Sequence, residues 1–228
     1  MKRTFGTATF LGLMLVASAL AQTAPTADEI RVYAGLHEAA AKGDAAEIEK
    51  LIAEGERPNI QDSRSRTPLH VAAYLKRHDA ARALLKLGAN ANALEIDRYD
   101  IVTIAAVAND VEMLKLAIQG GASARNVTSR YAGTALIAAA HLGHAEVVEI
   151  LIAAKAPLNH VNNLGWTALM DSIVLGNGGA GHTATLKALV EAGADVNIAD
   201  RQGVTPLQHA RQRGYVGMAR ILEAAGAR

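Results

Sequence analysis

The sequence predicts an all-α solenoid of six stacked helix-turn-helix units joined by short β-hairpin-like loops. Three observations carry that prediction. The first is a recurrence: Leu36, Leu69, Val102, Leu136, Leu169 and Leu207 follow one another at steps of 33, 33, 34, 33 and 38 residues, the signature of a repeat array. The second is a matching rhythm of apolar runs closed by small residues, such as Leu84-Leu85-Lys86-Leu87-Gly88-Ala89 and Leu189-Val190-Glu191-Ala192-Gly193-Ala194. The third is composition. Half of the 228 residues are apolar but only 4% are aromatic, so a core must be assembled from Ala, Leu, Val and Ile.

Composition also excludes functions. The 23 basic and 22 acidic residues nearly cancel, which argues against a nucleic-acid-coating polycation or an acidic disordered chain. With no cysteine, disulfide scaffolds, thiol catalysis and Cys-based zinc sites are excluded.

Residues 1–21 read as an export signal. Lys2 and Arg3 precede the apolar run Phe10 to Val16, and Ala19-Leu20-Ala21 offers small residues for cleavage before Gln22. The run is too short to span a bilayer, and no later segment is apolar enough to do so. Cleavage would give a periplasmic or secreted protein, with its formal charge moved from +1 to −1. The polar stretch 22–29 is expected to be a flexible lead-in.

From Ile30 the units run 30–61, 62–94, 95–128, 129–161, 162–199 and 200–228. Within them, Thr67-Pro68 and Thr205-Pro206 place a capping hydroxyl before a proline that suits the first helical position. Asp100 is expected to cap in the same way. Gly88, Gly121, Gly193 and Gly226 follow apolar runs, where a left-handed residue closes a helix. Lys155 occupies the equivalent place in the fourth unit and predicts a strained or differently wound end. The polar first and last units serve as end caps, because one unit cannot bury its apolar faces alone.

Thr67-Pro68-Leu69-His70-Val71-Ala72-Ala73 and the stretch Gly193 to Leu207 carry a resemblance to the ankyrin-repeat family over essentially all of residues 30–228. The resemblance implies a protein-binding module whose surface lies on hairpin tips and on the inner faces of the first helices. Carried onto this sequence, that surface takes in Arg64, Arg66 and Tyr74 from the second unit and Asp97 and Tyr99 from the third. The fourth contributes Arg130, Tyr131, His141 and Leu142, and the fifth Leu164, Trp166 and Val174. Four of the six aromatics beyond residue 21 fall in this set. Tyr, Trp and Arg are the residue types that anchor interfaces.

The partner is thus expected to be another protein, bound as scaffold, or as inhibitor or immunity factor against an exported toxin or hydrolase. No nucleic acid, cofactor or metal is implied, and the protein alone is expected to be monomeric. A weaker enzyme or metal reading rests on His141, His144 and His182. The family pattern instead gives His144 and His182 to turns and His37 and His70 to helix starts. No nucleophile-elbow, zinc-helix or phosphate-loop motif is present. The fifth unit's extra residues around Gly176 to Gly181 predict a loosely ordered loop between its helices.

Overall fold

A computed structural model describes residues 22–228. The expected signal and the residue preceding its cleavage point lie outside the described residues. Thirteen helices are found among them, and no strand; the nearest approach to a sheet is one isolated bridge between Thr128 and Gly133. After α1 (Ala27–Val32) come six helix pairs: α2 (Gly35–Lys42) with α3 (Ala45–Ala53), α4 (Pro68–Tyr74) with α5 (His78–Lys86), and α6 (Ile101–Val107) with α7 (Val111–Gln119). They continue as α8 (Ala135–Leu142) with α9 (Ala145–Ala153), α10 (Ala168–Val174) with α11 (Ala180–Glu191), and α12 (Pro206–Gln212) with α13 (Val216–Ala224). The first helices of the pairs stack on one another in an inner row, and the second helices form an outer row.

The recurring apolar position explains the stacking. Leu36, Leu69, Val102, Leu136, Leu169 and Leu207 are all at most 3% exposed, each contributing about 1.5–3 kcal/mol through burial. The inner helices carry paired alanines beside them, Ala72 and Ala73, Ala105 and Ala106, Ala139 and Ala140, all buried. These small side chains let neighbouring helices approach closely, which is why so few rings suffice.

Caps start the inner helices as expected. Thr67 accepts from the His70 backbone N–H and is answered by the His70 ring, while Thr205 does the same with Gln208. Asp100 accepts from Thr103 N at 2.8 Å, and Thr134 and Thr167 cap α8 and α10. Lys155 does adopt a left-handed backbone, φ 65°, where the other units use glycine near φ 90°. A non-glycine residue there costs about 1–2 kcal/mol.

Each hairpin is built on one polar side chain. Asp62, Glu95, Ser129, Asn162 and Asp200 each accept backbone N–H groups two and four residues onward. Neighbouring hairpins are then stitched together by Ile96 N to Arg64 O (2.9 Å), Ser129 N to Arg98 O (3.1 Å) and Asn163 N to Tyr131 O (2.8 Å). The rigid row of loops that results holds the candidate site's side chains.

Two expectations about order are corrected. Residues 22–29 are not a loose lead-in: Pro25 is buried, Thr26 and Glu29 form a reciprocal cap on α1, and Gln22 Nε2 donates to Thr103 O at 3.1 Å. The segment is ordered because Glu29 meets a buried arginine, described below. The glycine-rich loop of the fifth unit is also packed. The Tyr215 hydroxyl donates to Gly176 O at 2.9 Å, and Asn177 Oδ1 accepts from Gly179 N at 2.9 Å. Gly178, at φ 69°, lies so close to the Tyr215 ring that a Cβ would come within 2.5 Å of it. The insertion thus serves as a spacer that docks on the next unit, and part of it extends α11 to 12 residues.

Candidate functional site

The inner helices α6, α8 and α10 and the hairpins that precede them line a narrow, partly open cleft with a cavity volume of about 30 Å³. Tyr99, Tyr131, Ile137, Leu164 and Leu175 supply apolar wall, and His141, Asn162 and Asp171 the polar part. Thr103 and Thr128, joined hydroxyl to hydroxyl at 2.9 Å, line its other end. Gln22 Nε2 bonds to the carbonyl of Thr103, one of these lining residues.

Asp171 sits in α10, where the three preceding inner helices place Val71, Ile104 and Ala138 and the two end units place Glu38 and His209. Asp171 is 2% exposed. One carboxylate oxygen takes a long bond, 3.4 Å, from Asn162 Nδ2. The other lies 4.0 Å from His141 Nδ1, beyond hydrogen-bond reach. Burial drives the Asp171 pKa well above the usual carboxylate range. Burial, reinforced by His182, pushes His141 down to about 4, so its ring is neutral at pH 7.

Five of the remaining histidines tie the stack together through backbone carbonyls. His37 Nε2 meets Arg66 O at 2.8 Å, His70 Nε2 meets Ala93 O at 3.1 Å, and His160 Nε2 meets Ala132 O at 2.7 Å. His144 Nδ1 reaches Ala106 O at 3.0 Å and His182 Nε2 reaches His141 O at 2.9 Å. Of the three histidines in the enzyme reading, only His141 lines the cleft.

The expected surface residues divide. Arg64, Asp97 and Arg130 come together in a ladder along the hairpins: Arg64 Nη2 lies 3.2 Å and Arg130 Nη2 2.8 Å from the two oxygens of Asp97. Tyr131, Leu164, Trp166 and His141 are half-buried, and Leu142 is 36% exposed. Tyr74 is half-buried too, its hydroxyl enclosed without a hydrogen-bond partner.

Three of the expected surface residues are interior. Val174 is buried in α10. Tyr99 is 3% exposed, because its hairpin folds over Glu95, whose Oε1 accepts the Tyr99 and Asp97 N–H groups. Arg66 is fully buried, its guanidinium held by Glu29 Oε1 and Asp62 Oδ2, both at 2.7 Å.

Sequence reasoning missed Asp171 and Asn162. The signal for Asp171 was present, as a carboxylate in a register that the three preceding units fill with Val71, Ile104 and Ala138 and only the end units fill with polar residues, Glu38 and His209.

Fold and site together define a repeat solenoid of paired helices, a scaffold that presents one inner face. The family model for ankyrin repeats (3 copies) matches residues 36–122 and 102–200. The chain is 32% identical over 190 residues to the putative ankyrin repeat protein YahD of Escherichia coli K12, covering 83% of this chain and 94% of that one. An ankyrin repeat domain of Acinetobacter baumannii (ABAYE2397) is 41% identical with a TM-score of 0.81, over 85% of this chain and 98% of that domain. A chain in the complex of the Bdellovibrio bacteriovorus predatory endopeptidase Bd0816 with immunity protein Bd3460 is 26% identical with a TM-score of 0.69, over 84% and 98%. The protein belongs to the ankyrin-repeat family, whose fold is typically a non-enzymatic protein-interaction module.

Proposed function

We propose that this protein is an exported bacterial ankyrin module that binds another protein through its inner-helix face and hairpins, acting as scaffold or accessory factor without chemistry of its own. The observation that carries this reading is the gathering of the half-buried Tyr131, Leu164 and Leu175 around one cleft on the face that also presents the half-buried Trp166 and the exposed Leu142. Aromatic and aliphatic groups so held give up little entropy when a partner covers them. A second reading, as inhibitor or immunity protein, draws support from the endopeptidase–immunity protein complex among the structural relatives. Export rests on the basic start, apolar run and small residues of positions 1–21.

Affinity capture from envelope extracts tests the binding surface. Leu142→Glu and Tyr131→Ala should each lower retention of the captured partner at least about tenfold, or about 1.4 kcal/mol, with melting temperatures close to the parent. Arg82→Glu on the outer helix α5, 57% exposed, should leave retention unchanged. Equal retention by all three would sink the proposed face. For export, mass spectrometry of the native soluble protein should give a chain beginning at Gln22; an intact Met1 there contradicts it.

A further inference from the structure

Asp171 closes the cleft with a carboxyl group that has no counter-ion among the described residues. Of the hairpin arginines, Arg64 and Arg130 are committed to Asp97, and neither they nor the exposed Arg98 pairs with Asp171. His141 is kept neutral by burial. Asn162 turns its amide N–H toward Asp171, while its carbonyl oxygen already accepts from Leu164 N (2.9 Å) and Trp166 N (3.1 Å). A carboxylate taken out of water without a cation or good hydrogen bonds is costly, and such groups are ordinarily paired.

The cleft's shape indicates what could supply the pair. Ile137, Tyr131 and Leu164 form an apolar sleeve leading to Asp171 and His141. An aliphatic stem suits the sleeve, and a compact head with several donors suits its polar end. We propose that the cleft seats a lysine side chain of the protein partner, its ammonium donating to the unpartnered Asp171 oxygen and to the lone pair of the His141 ring. This rests on the reading of the inner face as a protein-binding surface. The ammonium is preferred over a guanidinium because the cleft is narrow and its two acceptors are not arranged as a planar fork.

The test uses the protein with 13C-labelled aspartate, titrated with acetyl-Gly-Lys-Gly-amide and with the matching norleucine, glutamine and glutamate peptides. The lysine peptide should move the Asp171 13Cγ signal saturably toward the carboxylate position, with a Kd at least about tenfold below that of the norleucine or glutamine peptide. Asp171→Asn should abolish the preference without lowering the melting temperature. Equal binding of norleucine or glutamine, a lysine preference that survives in Asp171→Asn, or no saturable shift with any peptide overturns the proposal. Should Asp171→Asn not fold, the peptide series on the parent protein decides alone. Partner retention in Leu142→Glu reports on the whole face independently of lysine, so failure of the pocket and failure of the surface can be told apart.

Discussion

Arg66→Ala is expected to destabilise the N-terminal end of the stack by about 3 kcal/mol. Removing one member of a buried charge cluster typically costs about 3–5 kcal/mol, since the groups left behind lose their compensation. The low end applies because Glu29 is 30% exposed and can be rehydrated. Asp62 keeps the Tyr33 hydroxyl at 2.8 Å and the N–H groups of Arg64 and Arg66. The loss should be local, as neighbouring units in a solenoid contribute separately: α1 and α2 should lose hydrogen-exchange protection while α8 to α13 keep theirs.

The pH dependence follows from the partners. The hydrogen bond from Arg66 holds Glu29 below its ordinary value. For Asp62, burial pushes upward, but the hydrogen bonds from Tyr33 and Arg66 outweigh it and the net shift is down. Depressed carboxylate pKa values contribute stability that is present above the unfolded values near about 4 and is lost as pH falls through the lowered ones. The difference between Arg66→Ala and the parent should therefore be full at pH 6–7 and shrink in acid. A variant that melts like the parent at neutral pH would show that the buried cluster adds nothing to the fold.

Tyr99→Ala should cost about 3–5 kcal/mol, as truncation of a buried aromatic ring does. The sequence alone suggests the opposite, an exposed hairpin ring whose removal spares stability and weakens binding. At 3% exposure the ring is as interior as Leu84, fully buried between α5 and its neighbours, for which Leu84→Ala should cost about 2–5 kcal/mol. The two variants are expected to lower the urea midpoint comparably. Trp166→Ala, at a half-buried ring, should lower it less. If Tyr99→Ala left the midpoint unmoved, the ring would have to be a surface group. Partner binding by Tyr99→Ala is no clean probe, because the ring also forms part of the cleft wall and its loss alters both.

The repeat step, the caps at Thr67, Asp100 and Thr205, and the Leu/Val column of the core were legible because they depend on residues within one unit. A threonine three positions before an N–H, or an apolar residue every 33, acts the same way in every copy. The left-handed turn at Lys155 was legible for the same reason, as the one place where glycine was expected and absent. The hairpin anchors Asp62, Glu95, Ser129, Asn162 and Asp200 are harder to see, since four residue types fill one role. What unites them is a side-chain oxygen able to accept from the backbone two and four residues on.

What the sequence by itself determined is therefore the ankyrin solenoid, its pairs of helices and the residues that start and stop them, all set by contacts a few positions apart. Tertiary structure alone decided which members of the surface register face outward. Arg66 lies inside because Glu29, 37 residues earlier, reaches back to it, and that contact orders a segment whose composition reads as loose. The glycine-rich insertion is ordered because Tyr215, 39 residues beyond Gly176, lands on it. Asp171 is a site rather than an error in the core because His141, Asn162 and the walls of three units close around it. In each case the deciding term is desolvation, which depends on everything that surrounds a group after folding and is not written in its own neighbourhood of the chain.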